Sequence, residues 1–135
     1  MKLRLALLSA CALLGACATD TPAQSEHDRT CAALAATPGP MQDPRLSDGE
    51  RSVLRTITPQ RLAAPRYRCG DTAYQTDPSQ LGLTYTAVGF SPDGDHAAVS
   101  LQTVAGPLAG GGFNCLLNRN GESWRLRSCE MTWIS

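Results

Sequence analysis

The chain has no Cys-x-x-Cys pair, no surplus of charge of either sign, no apolar run long enough to cross a bilayer and one histidine beyond its first thirty residues. Each lack closes a class. Without paired cysteine spacing, a structural zinc site of the usual kind is excluded. Twelve basic against twelve acidic side chains give no general attraction to nucleic acid or anionic lipid. The apolar stretch Leu5 to Leu14 falls short of the roughly 20 residues a transmembrane helix needs. The glycine-rich "GPLAGGG" lacks the Lys-Ser/Thr of a phosphate loop, and no cofactor motif stands elsewhere.

What is present begins with Lys2 and Arg4, the stretch Leu5 to Leu14, and small residues, the three-part order of an export signal. The stretch closes on Leu14-Gly15-Ala16-Cys17, which resembles the lipobox of bacterial lipoproteins over residues 1–17. That resemblance implies cleavage between Ala16 and Cys17, fatty acyl chains such as palmitate on the Cys17 thiol and the new amino end, and a membrane partner held through that anchor. Each buried CH₂ of such chains contributes roughly 0.8 kcal/mol, so several hold where one is marginal. Leu8-Ser9-Ala10-Cys11 has the same pattern but leaves too short an apolar core for a signal. In Gram-negative lipoproteins an aspartate after the lipidated cysteine retains the protein in the inner membrane. Ala18 stands there, so the resemblance implies the periplasmic face of the outer membrane.

Cys31, Cys69, Cys115 and Cys129 then remain, an even number in an exported chain, which predicts disulfides in an oxidising compartment. Four cysteines allow three pairings; the sequential one, Cys31 with Cys69 and Cys115 with Cys129, is preferred. Residues 1–16 are thus assigned to the signal, 17–28 to the lipidated cysteine and a flexible tether, and 29–135 to a single α+β domain. His27 falls in the tether, where "ATDTPAQSEHD" shows no periodic apolar positions.

"RTCAALAAT" suggests a short helix ending before Pro38, and Ser47 with Glu50 makes a capping box that opens a helix at about 48–57. From residue 82 the apolar pattern has period two. A three-residue Pro92-Asp93-Gly94 loop with Gly94 left-handed would pair Ser91 with Asp95 and set Leu83, Tyr85 and Ala87 opposite Thr103, Leu101 and Val99. Asn120-Gly121 predicts a second, two-residue hairpin turn. That turn pairs Cys115 with Leu126 and so conflicts with a Cys115–Cys129 bridge, unless a bulge near Arg127-Ser128 or a longer loop intervenes. The expectation is α+β: one or two short helices packed on one face of a mostly antiparallel sheet of about four strands built from two hairpins.

Chemistry is sparse. "FSPDGDHAAVS" resembles the strand-turn-strand unit of Asp-Gly propeller repeats, but it covers eleven residues and occurs once. Gly89 to Gly94 departs from the nucleophile elbow, with its second glycine one residue late and Pro92 in the turn, so Ser91, Asp95 and His96 make a triad on paper only. Asp93 and Asp95 are too few oxygens for an EF-hand calcium loop. Arg66 and Arg68, and Arg125 and Arg127, sit two apart on extended segments, a spacing suited to a wet face or to a patch that recognises carboxylates or sugar phosphates on an envelope partner. Gly110, Gly111 and Gly112 form a flexible connection where another backbone can come near.

"VGFSPDG", "GPLAGGGF" and the closing "TWIS" resemble a class of small bacterial envelope proteins that end in a Trp-Ile-Ser strand, which implies location and no activity. The resulting expectation is a non-enzymatic, lipid-anchored, periplasm-facing binding or structural module that needs no cofactor or metal. The alternative is a periplasmic inhibitor or immunity protein against a cell-wall hydrolase or secreted toxin, because a stapled, rigid loop loses little entropy on binding.

Overall fold

In the computed structural model residues 22–135 are described, so the signal expected over 1–16 and the lipidation expected at Cys17 lie outside the described residues. The elements are α1 (Pro22–Ala35), α2 (Asp48–Thr56), β1 (Gln60–Arg61), β2 (Arg66–Cys69), β3 (Thr72–Gln75), β4 (Gly82–Phe90), β5 (His96–Gly106), β6 (Ala109–Asn120) and β7 (Ser123–Ile134). The two expected hairpins, β4-β5 and β6-β7, join into one antiparallel sheet. The short β1 extends it to five strands in the order β1-β4-β5-β6-β7. β2 and β3 pair as a separate ribbon. The sheet is therefore larger than the four strands expected. β1 to β3 carry little apolar signal because most of their residues are exposed.

Both faces of the sheet are covered, where one was expected. Tyr85, Val88, Val99, Leu101, Phe113, Cys115, Leu117 and Cys129 face α1 and pack with its Ala33 and Leu34. Ala98 and Leu116 point the other way, against Leu46, Leu54 and Ile57 of α2 and its flanks. Ser47 caps α2 as expected. Its hydroxyl accepts from Glu50 N at 3.2 Å while the Glu50 carboxylate accepts from Ser47 N at 3.0 Å.

α1 corrects the tether. Residues 22–28 are helical, so the folded body starts before residue 29. Pro22 suits the first helical position, where its missing N–H costs nothing. The buried positions are Thr30, Ala33, Leu34 and Thr37, which is helical i, i+3, i+4, i+7 spacing. Two of the four are threonines, and for that reason the face does not register as an apolar stripe. Cys31 is bridged to Cys69 of the ribbon, with Cα atoms 5.6 Å apart. Tyr85 donates its hydroxyl to Thr37 O and ties the carboxyl end of α1 to the sheet.

Bulges decide the registers. Leu83 faces Thr103 and Tyr85 faces Leu101 as expected, but a bulge at Thr86 then sets Ala87 opposite Ser100 and Val88 opposite Val99. Thr86 O accepts from Leu62 N at 3.0 Å, and the Thr86 hydroxyl donates to Ser100 O at 3.1 Å, so the extra residue is held from both sides. The loop consequently has four residues, and Ser91 N bonds His96 O rather than Asp95. Gly94 is left-handed as expected, with φ 77°. In the second hairpin the turn residues are Gly121-Glu122, one step later than expected, and Asn120 pairs Ser123. Gly121 has φ 65° and Glu122 does not, the φ pattern of a type II′ turn. A bulge at Arg127 shifts the register again and brings Cys115 opposite Cys129, where they are bonded. Both preferred disulfides are formed.

These bridges close loops of different length, and chain entropy gives the longer the larger effect. In urea unfolding, Cys31→Ser with Cys69→Ser should lower stability by about 4 kcal/mol, and Cys115→Ser with Cys129→Ser by at least about 3 kcal/mol. Equal midpoints for reduced and oxidised protein would contradict this.

Candidate functional site

Arg125 and Arg127 do not act as a pair. Arg125 sits opposite Asn118 and is exposed, with no hydrogen bond or ion pair from its guanidinium among the described residues. Arg127 occupies the bulge and is committed internally. Its guanidinium donates to Pro44 O at 3.1 Å, Arg45 O at 3.2 Å and Glu50 Oε1 at 2.9 Å, and its Nε lies 2.7 Å from Glu50 Oε2. The bulge breaks the two-residue alternation on which a shared arginine face depended.

Gly110, Gly111 and Gly112 form no flexible connection. They lie in β6, and only Pro107 and Leu108 make the turn before it. A Cβ on Gly112 would collide with the Trp133 indole, so Gly112 makes room for the chain's own aromatic.

Ser91, Asp95 and His96 form no relay. The Ser91 hydroxyl donates to Asp93 Oδ1 and accepts from His96 N at 3.0 Å, Asp95 N donates to Asp93 Oδ1 at 2.9 Å, and the His96 ring meets Asn118 Oδ1 at 3.0 Å. The bonds among Ser91, Asp93, Asp95 and His96 N close the turn, and the His96 ring bonds across to β6. The Ser91 hydroxyl and then the Asp95 N–H hold the Asp93 carboxyl below its ordinary pKa. No group of three or more metal-ligating side chains gathers among the described residues.

The surface with recognisable binding chemistry runs along α1, on both flanks. One groove of about 230 Å³ is bounded by Asp28 and Arg29 of α1, Gly94 of the first turn, and Arg119, Glu122 and Trp124 of the second hairpin. Its two arginines are pre-positioned. Arg29 stacks over the Phe90 ring at 4.3 Å, Phe90 lies 5.6 Å from Trp124, and Arg119 is steered by Gly121 O at 2.8 Å and Gly94 O at 3.5 Å. Neither arginine has a carboxylate within ion-pair distance among the described residues. A guanidinium held by carbonyls and an aromatic face keeps free N–H groups for a planar anion.

The opposite flank is a second groove of about 230 Å³ between His27 and Thr30 of α1, Arg61 of β1 and Tyr67 of β2. His27 is no tether residue, since its Nδ1 lies 2.8 Å from Tyr67 Oη and its Nε2 3.5 Å from Cys31 Sγ. Sequence reasoning missed both grooves because it gave His27 and Asp28 to the tether. Residues 25–29 are all exposed, so no apolar spacing marks that part of the helix in the sequence. No known family model matches this chain, no curated protein matches its sequence and no solved structure matches its fold.

Glu50 links α2 to β7, and its protonation should be visible in stability. The Ser47 N–H lowers the Glu50 pKa from its ordinary 4.5, partial burial opposes, and the Ser47 hydroxyl and Arg127 guanidinium lower it further. A depressed carboxyl stabilises fully above its unfolded value and loses that contribution as pH falls through the folded one. Acid titration should thus show a loss of stability below about pH 4.5 that Glu50→Gln reduces without abolishing, because the Asp93 carboxyl is depressed as well. At neutral pH, Arg127→Ala should cost about 2 kcal/mol, and Arg127→Lys should recover little because an ammonium lacks the fork.

Proposed function

We propose that the chain is a non-enzymatic lipoprotein, anchored through Cys17 to the periplasmic face of the outer membrane, whose body is a binding or structural module of the cell envelope. The observation that carries this reading is the oxidation of all four cysteines beyond Cys17 into two bridges, the state expected of a body exported behind a lipobox. Four residues separate Cys17 from Pro22, and extended chain spans at most about 3.6 Å per residue. The α1 end of the body then lies within roughly 20 Å of its acyl anchor. The groove holding Arg29 and Arg119 is the binding surface, and its ligand is a carboxylate or phosphate group on an envelope component.

A second reading, a periplasmic inhibitor or immunity protein, is favoured by the turn at Pro92–Asp95. Ser91, Asp93 and Gly94 lock it from within, and a loop already fixed in one conformation loses little entropy when it enters an enzyme cleft.

Metabolic labelling with palmitate should mark the wild type and leave Cys17→Ser unmarked and released from the membrane fraction. An unmarked wild type would sink the anchor. In pull-downs from envelope extract, Arg29→Glu with Arg119→Glu should lose the bound component by tenfold or more while retaining the wild-type melting temperature. Recovery of a single hydrolase, lost on changing Pro92–Asp95 and not on changing the arginines, would establish the second reading instead.

A further inference from the structure

The last four residues of β7, Met131 to Ile134, are uncharged and largely apolar but lie at an edge. β6 pairs with one side of β7, and on the other Met41 covers it at Ser128 and Cys129, accepting from Cys129 N at 2.6 Å and from the Ser128 hydroxyl at 3.0 Å. Beyond Cys129, no hydrogen bond to the outer edge is made among the described residues. Trp133 stands over Gly112 on the α2 side, whereas Met131 and Ile134, opposite Phe113 and Gly111, stand on the α1 side. They are 44%, 42% and 73% exposed, and residues 131–135 carry no charge. Exposed edges are ordinarily blunted by charge, proline, a cover or a bulge, and of these devices residues 131–134 carry only a bulge, at Thr132; strands apolar on both faces are ordinarily flanked on both sides.

Three observations choose the occupant. The chain preceding Pro22 enters α1, whose Asp28 and Arg29 lie beside the turns at Gly94 and Glu122, at the opposite end of the sheet from Ile134. The 11 residues of β5 that run between those ends span about 36 Å, so a link of four residues does not reach the bare strand. Trp133 projects on the α2 side, away from the side to which the amino end is attached, so it is not turned toward a bilayer holding Cys17. Finally, a segment without charged side chains, residues 131–135, is compatible with its own copy. Antiparallel pairing of like strands follows a two-fold axis normal to the sheet, and that operation keeps both α1 helices on one side and both α2 helices on the other. Two amino ends on one side can reach the same membrane.

We propose that β7 pairs antiparallel with β7 of a second copy, centred near Thr132, to make one continuous sheet from two five-stranded ones. The relation to the membrane rests on the proposed anchor; the pairing itself does not. The test uses the full chain in cells. Thr132→Cys should give a covalent dimer on non-reducing gels of the envelope fraction, and Ser123→Cys, at the far end of β7, should not. In detergent the wild type should sediment as a dimer and Ile134→Lys, altered at an exposed side chain, as a monomer. A wild type that sediments as a monomer, an Ile134→Lys variant that stays dimeric, or cross-linking at Ser123→Cys equal to that at Thr132→Cys would overturn the proposal. Loss of palmitate labelling with the Thr132→Cys cross-link retained would overturn the anchor alone.

Discussion

Arg127 sits where three parts of the chain meet, and it does so because β7 carries one residue more than β6 at that point. The extra residue turns a guanidinium out of the ladder toward the α2 end, where Glu50 already caps the helix. One carboxylate thereby serves Ser47 N and the Arg127 fork together, and the fork also satisfies the Pro44 and Arg45 carbonyls. The same extra residue restores the parity that lets Cys129 face Cys115. Without the bulge the bridge, the helix cap and the loop that covers Ser128 would compete for incompatible registers. With it they reinforce one another, as expected of a chain whose local choices agree with the global fold.

Much of this was legible in the sequence, and what was illegible has definite causes. The capping box at Ser47 and Glu50, the helix after it, the four long strands and the left-handed Gly94 follow from short-range chemistry, which a sequence displays directly. The cysteine pairing was preferred from the sequence together with a conflict that left a bulge near Arg127-Ser128, a longer loop or another bonding partner open. The bulge at Thr86 was not recoverable, because it depends on Leu62 N arriving from β1, a contact between segments far apart in the chain. α1 was misread over its first half because residues 25–29 are all exposed, so that stretch carries no periodic apolar signal, while the part with buried positions, from Thr30, was read as helix. The grooves were lost with it.

Bulges also explain why an arginine spacing misled. A two-residue separation places side chains on one face only while the ladder is regular. Arg66 and Arg68 obey this in the unbroken β2-β3 ribbon, where both are exposed. Arg125 and Arg127 straddle an irregularity, so one remains in solvent and the other becomes a structural clamp. The positively charged groups with ligand chemistry are instead Arg29 and Arg119, distant in sequence and brought together by α1 docking beside the two turns.

The sheet is consequently two-sided in role as well as in packing. The α1 side carries the attachment to the amino end, the Cys31–Cys69 staple and both grooves; the α2 side carries the Arg127 clamp and Trp133. Rigid cross-linking matters most on the first side, because a helix adjoining a proposed lipid anchor takes whatever pull the membrane exerts. Its short apolar face, Ala33 and Leu34 between threonines, is weak resistance by burial alone. Cys31 lies on that same helix, one residue past Thr30, and its covalent link to β2 holds α1 against the sheet so that Arg29 and His27 keep their places in the groove walls. The disulfide thus supports the walls of the proposed binding surface, which couples the proposed function to an oxidising compartment.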